Sequence, residues 1–381
     1  MIGPLAGVRI VEMAGIGPGP VCGMMLADLG ADVTVVDRKG STLQLGPTDP
    51  KNDLTRRGKR SMAVNLKSPG AADVVLRLVE KADGLIEGFR PGVMERLGLG
   101  PDVCLARNPR LVFGRLTGWG QTGPLAPVAG HDLNYVALSG ILHHTGQRSS
   151  PPTIPATIVG DVGGGAMFMA LGLVSGILSA RTSGRGQVVD AAIVDGCAVM
   201  SALIQGARLM GRWSDRRESN FLDGAAHWYD SYQCSDGHYV TVGALEPQFY
   251  QLLLEKLGLQ GQGLEGAQFD VRRWPELSEK FAAIFRTRTR AEWCEILEGT
   301  DVCFAPVLTL GEAMDHPHNQ ARGTYREVNG VRQPAPAPRF SATPGEIGRA
   351  PVAIGTDTQQ VLESLGYSPA EAVALARAGV V

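Results

Sequence analysis

Charge of either sign is in short supply in excess: 36 Lys and Arg stand against 38 Asp and Glu, a net charge of −2 over 381 residues. Without a basic excess the chain has little with which to neutralise a phosphate backbone, so nucleic acid is not an expected partner. Six cysteines, at positions 22, 104, 197, 234, 294 and 303, form no C-x-x-C pair. They read as buried small residues or free thiols in a reducing compartment. The first residues, Met-Ile-Gly-Pro-Leu-Ala-Gly-Val, lack a basic region ahead of a long apolar core, so no secretory leader is expected. The final Ala-Gly-Val-Val carries no peroxisomal signal. The most apolar stretch, residues 166–180, is shorter than a bilayer span and includes Gly172 and Gly176. These absences predict a cytoplasmic protein with no membrane partner. His143-His144 and His316-Pro317-His318 have no Cys or carboxylate cluster to complete a metal site, and none is expected. No internal repeat is present.

What is present is glycine, 50 residues of it, clustered at Gly15-Ile16-Gly17-Pro18-Gly19 and at Gly163-Gly164-Gly165. Such clusters mark tight turns and close backbone approach. Hydrophobic content of 44% and charged content of 19% suit a globular chain with a sizeable core. The N-terminal half alternates strand and helix: strands at 8–11, 31–37, 84–87 and 111–116, helices near 21–29, 71–81 and 93–97. That alternation predicts an α/β domain with a parallel, Rossmann-like sheet and right-handed crossovers. Residues 188–210 read as one long helix, 229–242 as strands around a turn at 235–238, and 247–257 and 291–297 as helices. The predicted layout is a large domain of 1–191 and 335–381 and a small α+β domain of 230–317. Residues 192–229 and 318–334 would connect them. Asp37, twenty residues after Gly17, imitates a dinucleotide fingerprint, but Pro20 or Cys22 stands where the third glycine belongs. Pro18 and Pro20 also lack the N–H groups a pyrophosphate would use, so NAD(P) binding is not predicted.

Eight strings stand in order along the chain: Gly-Pro-Leu-Ala-Gly-Val-Arg-Ile-Val-Glu (3–12), Leu-Ala-Asp-Leu-Gly-Ala-Asp-Val (26–33), Phe-Arg-Pro-Gly-Val (89–93), Arg-Leu-Thr-Gly-Trp-Gly-Gln-Thr-Gly-Pro (115–124), Gly-His-Asp-Leu-Asn-Tyr (130–135), Gly-Asp-Val-Gly-Gly-Gly (160–165), Gly-Arg-Gly-Gln-Val-Val-Asp (184–190) and Gly-Ala-Leu-Glu-Pro-Gln-Phe-Tyr (243–250). Together they resemble the family III CoA-transferase fold, and within it the α-methylacyl-CoA racemase branch. Transferases of this family use an Asp at the position of Asp161 as a nucleophile. The racemases place a His where His131 stands and a Glu where Glu246 stands, and this chain has both.

The resemblance implies racemisation of 2-methylacyl-CoA thioesters by a homodimer interlocked like linked rings. No separate cofactor is implied, coenzyme A being part of the substrate. His131 would take the α-proton of the S isomer and Asp161 that of the R isomer, each acting as the acid for the other. Glu246, from the partner's small domain, would orient His131. Histidine suits both roles at neutral pH, whereas Asp161 needs its pKa raised by burial. Asp161 is expected to begin a helix whose N–H groups face the thioester oxygen, with Gly163 to Gly165 clearing the approach. Arg38 and Arg90 match CoA-contacting positions, and Arg57 and Lys59 are candidate phosphate partners. Met167, Met169, Met200 and Met210 are candidates for a pliable acyl surface.

Simpler readings exist for each residue. His131 also reads as a structural histidine, Asp161 as a helix cap, Glu246 as a first-turn carboxylate, the 56–60 basic run as a solvated face, and the methionines as plain core. At the level of the protein, the rivals are a transferase with Asp161 as nucleophile and a silent CoA-ester binding protein. Two departures from the family pattern, Arg56 and His227, touch none of the proposed bases.

Overall fold

The computed structural model describes residues 3–40 and 49–381. Two compact units emerge. The first comprises the described residues of Met1–Ser139, Ala156–Met200 and Pro317–Val381, the second Gly140–Pro155 and Ser201–His316.

The first unit is built on six parallel strands: β1 (Arg9–Met13), β2 (Asp32–Arg38), β3 (Arg60–Val64), β4 (Gly84–Glu87), β5 (Val112–Thr117) and β6 (Gln187–Ala192). Helices α1 (Pro18–Asp28), α2 (Ala71–Glu80), α3 (Val93–Arg96), α4 (Pro101–Arg107), α5 (Asp132–Leu138), α6 (Met167–Ser183) and α7 (Ile193–Met200) connect and follow them. The spatial order is β3-β2-β1-β4-β5-β6. Chain order therefore reverses between β1 and β4, the place where open parallel sheets bind ligands beyond the strands' C-terminal ends. Fully buried Val, Ile and Leu in β1, β2, β4 and β5 form the interior, as parallel strands covered on both faces require. The C-terminal segment closes the β3 edge: Asp357 Oδ2 accepts the Ser61 N–H at 2.8 Å, and Thr358 Oγ1 accepts that of Ala63 at 3.0 Å.

Three expectations are corrected. Residues 188–210 are not one helix but β6, α7 and then α8 (Ala202–Leu209). The apolar run is legible, but a short run of this kind does not separate helix from strand. β3 forms where no strand is expected, because Arg60-Ser-Met-Ala-Val is too mixed to announce one. The apolar segment is also longer than expected. Nine residues of π-helix, Ile158–Ala166, run directly into α6. The resulting helix of 26 residues is long and apolar enough by composition to cross a membrane. Its Met169, Leu173, Gly176, Ile177 and Ala180 are buried. Gly176 lies on β5, so close that an added Cβ would stand 2.7 Å from Val112. Its opposite face leaves Met167, Leu171, Val174 and Leu178 exposed.

The second unit has a three-stranded antiparallel sheet, β7 (Tyr229–Gln233), β8 (Tyr239–Gly243) and β9 (Phe304–Pro306) in the order β7-β8-β9. Helices α9 (Pro247–Lys256), α10 (Trp274–Phe285) and α11 (Arg290–Leu297) pack with it around Trp228, Tyr250, Phe281 and Phe285. Two segments expected as connectors carry regular structure. Helices α7 and α8 lie within 192–229, and a hairpin of Tyr325–Val328 with Val331–Pro334 lies within 318–334.

Candidate active site

A cavity of about 710 Å³ opens where the strand order reverses. Its walls are the loop after β1 with the first turn of α1 (Gly15 to Pro20), the loop after β4 (Gly88 to Pro91), the end of β5, and the starts of α5 and the π-helical segment. His131, Asp161 and Arg90 all line it. Glu246 belongs to the second unit, where it is exposed and forms the N-cap of α9. Arg38 ends β2 with its side chain exposed.

His131 is held by the local chemistry of a helix start. It is the N-cap of α5, and its N–H donates to Asn134 Oδ1 at 3.0 Å. The next residue, Asp132, is buried, and its Oδ1 accepts the N–H of Asp161 at 2.7 Å. Its Oδ2 is buried with no hydrogen-bond partner among the described residues. Gly160 permits this contact, since a Cβ there would meet Asp132 Oδ1 at 2.3 Å. The N–H of Asp161 is thus already used and is not free for a thioester oxygen. The N–H of Asp132, in the first turn of α5, has no acceptor among the described residues.

Asp161 does not begin its helix. The helix starts at Ile158, its N-cap is Thr157, and Asp161 sits in the first turn. Its Oδ2 accepts from the Thr157 hydroxyl at 3.0 Å. Gly17, at φ 70°, comes so close that an added Cβ would stand 2.8 Å from Oδ2. Burial pushes the Asp161 carboxyl above its ordinary range. The Thr157 hydrogen bond opposes that rise, the Asp132 carboxylate adds to it, and His131 opposes it. The net direction is the one a carboxyl group needs if it is to hold a proton near neutrality.

The glycines that follow serve packing and not access. A Cβ on Gly164 would meet Cys197 Sγ at 2.8 Å and the Ile193 carbonyl at 2.9 Å, so Gly164 seats the π-helical segment on α7. The methionines are elsewhere as well: Met169 is fully buried, Met167, Met200 and Met210 are exposed, and none lines the cavity. Its apolar wall is made by Ile16, Phe89, Leu116, Trp119, Val128 and Ile193.

The four candidate CoA cations divide sharply. Arg57 is 2% exposed and donates to both carboxylate oxygens of Asp28, to Gln333 and to the Pro334 carbonyl. Lys59 is 1% exposed and donates to Glu12 at 2.6 Å and to the Pro20 carbonyl at 2.8 Å. Phosphate contact by these two is set aside: their charge is already matched, and burial removes them from a ligand. Arg56 is likewise committed, bidentate on Asp37 at 3.0 and 2.6 Å. Arg90 differs. It is exposed, lines the cavity, and makes no side-chain hydrogen bond among the described residues. Its loop is anchored below by Glu87, whose carboxylate accepts the Phe89 N–H at 2.7 Å and Arg115 Nε at 2.9 Å.

Asp132 and Thr157 are the participants that sequence reasoning missed. Asp132 had a signal, as the residue after His131 in the same string. Thr157 had none, because its role follows from a backbone conformation.

The profile of CoA-transferase family III matches residues 5–358. The chain is 44% identical over 373 residues to the α-methylacyl-CoA racemase of Mus musculus, covering 97% of this chain and 96% of that one. Identity to the Homo sapiens protein of the same name is 43%, covering 96% and 94%. Among solved structures, a CAIB/BAIF family protein from Brucella suis superposes with a TM-score of 0.83 at 25% identity, covering 96% of this chain and 100% of that one. The chain belongs to CoA-transferase family III.

Proposed function

We infer that this chain is an isomerase that interconverts the R and S configurations of 2-methylacyl-CoA thioesters. The observation that carries this reading is the 44% and 43% identity, over nearly the whole length, to proteins named α-methylacyl-CoA racemase. The site is consistent in its chemistry, since racemisation needs two proton carriers around one carbon, and His131 and Asp161 line one cavity.

In this mechanism His131 removes the α-proton of the S isomer, and the electron pair passes into the thioester as an enolate. Asp161 then delivers a proton to the opposite face, and the reverse sequence converts R to S. The raised pKa of Asp161 favours its neutral, donating form. The unclaimed N–H of Asp132, at the positive end of α5, is the donor we assign to the enolate oxygen. Arg90 supplies a cation for a CoA phosphate, and Arg38 a second one. No cofactor beyond the substrate's own CoA enters these steps.

The same proposal includes an interlocked homodimer in which Glu246 of one subunit's small unit orients His131 of the other. Support comes from Met167, Leu171, Val174 and Leu178, which are exposed at helical spacing along one face of α6. The test is proton NMR of (R)-2-methylacyl-CoA in D2O. Deuterium should enter the α-position with epimerisation, and His131→Ala should slow the epimerisation by at least about a hundredfold. Acyl-enzyme trapped by hydroxylamine, with CoA passing to an added carboxylate and no α-exchange, would identify a transferase instead. Thioester binding without either reaction would leave a binding protein.

A further inference from the structure

Thr157 stands in the left-handed region, at φ 62° and ψ 0°, and Ala156 before it is also at positive φ, 48°. For a β-branched residue this conformation is disfavoured by its own Cβ. Strain of this kind persists where the surroundings over-determine it, and it gathers at functional sites. At Thr157 the conformation has a visible consequence. It turns the hydroxyl back over the first turn of the helix, onto Asp161 Oδ2 at 3.0 Å. Both residues line the cavity.

The same oxygen is confined from the other side. The backbone of Gly17 lies against Oδ2, leaving no room there for even a methyl group. Below, Asp132 holds the Asp161 N–H. The carboxylate is therefore gripped at its backbone and at one of its two oxygens, while Oδ1 has no hydrogen-bond partner among the described residues. A proton carrier works best when its reacting oxygen is held in one direction and its other oxygen is occupied.

We propose that Thr157 is a positioning residue for α-proton transfer: its hydroxyl ties down Oδ2 of Asp161 and leaves Oδ1 as the oxygen that takes and returns the proton. The proposal deepens the racemase reading and rests on it. In the R-to-S direction the Cα–H bond breaks, its electron pair remains on the substrate as the enolate, and the proton goes to Oδ1. His131 then protonates the opposite face, and the new C–H bond forms from the enolate pair. In the S-to-R direction Oδ1 gives the proton while Oδ2 keeps its hydrogen bond from Thr157.

The experiment follows α-proton exchange and inversion separately, by NMR and chiral analysis, with (R)- and (S)-2-methylacyl-CoA in D2O. The full-length wild type is compared with Thr157→Ala, Thr157→Gly and Thr157→Ser. Thr157→Gly removes the hydroxyl while accepting positive φ without strain, so it separates the hydrogen bond from the backbone. The Ala and Gly variants should lose about tenfold in kcat/KM, the order expected for a hydrogen bond to a charged group. With the S isomer, exchange with retention should outpace inversion, because His131 still forms the enolate and returns a deuteron before Asp161 can act. With the R isomer, for which Asp161 must start ionised, the acidic limb of the pH profile should move to higher pH, since the lost hydrogen bond favoured the carboxylate. Thr157→Ser should restore the exchange ratio and the limb. A folded Thr157→Gly with wild-type exchange ratio and wild-type acidic limb would overturn the proposal while leaving the racemase intact. A wild type that exchanges no α-proton would remove the reading beneath it.

Discussion

Arg57 and Lys59 stand just before β3 and Arg90 in the loop after β4, and all three look alike in the sequence as cations for coenzyme A. The structure treats them in opposite ways. Lys59 is sealed against Glu12 and the Pro20 carbonyl, and Arg57 against Asp28. Arg90 stands exposed on the cavity wall without a side-chain partner among the described residues. A basic residue inside a matched network braces the fold, while one left unmatched in a cavity is available to a ligand. The Lys59 network also reaches the site indirectly, because Pro20 lies in the first turn of α1, whose N-cap Gly17 packs against Asp161.

The sharpest way to break this comparison is to remove Lys59. Lys59→Met leaves Glu12 buried and unmatched, and should destabilise the protein by about 3–5 kcal/mol, read as a lower urea midpoint. The double variant Lys59→Met with Glu12→Leu should recover much of that loss, since an apolar pair of similar volume replaces the ions. If Lys59→Met instead left stability unchanged and raised only KM, Lys59 would be a ligand contact after all.

A buried imidazole tests the opposite case, a group that burial keeps neutral and that is only half matched. His227 is fully buried; its Nε2 meets Tyr250 Oη at 2.9 Å, while Nδ1 has no partner among the described residues. Burial, with a smaller contribution from Arg273, pushes its pKa down to about 4. The unfolded chain takes up this proton near about 6.5, so between those values the unfolded form binds more protons. Stability from this group is therefore complete above about 6.5, falls by up to about 3 kcal/mol as the pH drops toward 4, and levels off below. Urea midpoints measured from pH 7 to pH 4 should show that slope, and His227→Phe should flatten it. An unchanged slope in the variant would place the acid sensitivity elsewhere.

The smallest expected effect is at Arg90. Arg90→Ala should raise KM for the thioester about tenfold with little change in kcat or in the urea midpoint, as loss of uniform binding requires. Loss of stability, or a fall in kcat alone, would move Arg90 from the ligand side of the comparison to the bracing side.

Much of the fold was legible from local pattern. The strands β1, β2, β4 and β5 announce themselves by runs of Val, Ile and Leu between glycine-rich turns, and their predicted bounds fall within a residue or two of the observed ones. β6 was lost because its Val188-Val189 leads without a turn signal into the helical Ile193–Met200. At the site, the strings around His131 and Asp161 pointed to two residues that do line one cavity. Glycines at 163–165 suggest clearance for a ligand, yet Gly164 is needed for contact with α7. A glycine cluster signals close approach, but not what approaches.

By itself, then, the sequence determined the alternating α/β plan, the family and the two residues that face the proposed chemistry. These are properties of periodicity and of short strings, which survive without knowledge of distant neighbours. Only the tertiary structure decided which cations are consumed, that Asp132 holds the Asp161 N–H, and that Thr157 turns its hydroxyl onto Oδ2. Burial and pairing depend on residues far apart in the chain: Lys59 finds Glu12, Arg57 finds Asp28 and Gln333, and Asp161 finds Asp132 and Gly17. Whether a charge is spent or available is set by the desolvation and matching that folding imposes, and a local string carries no record of either.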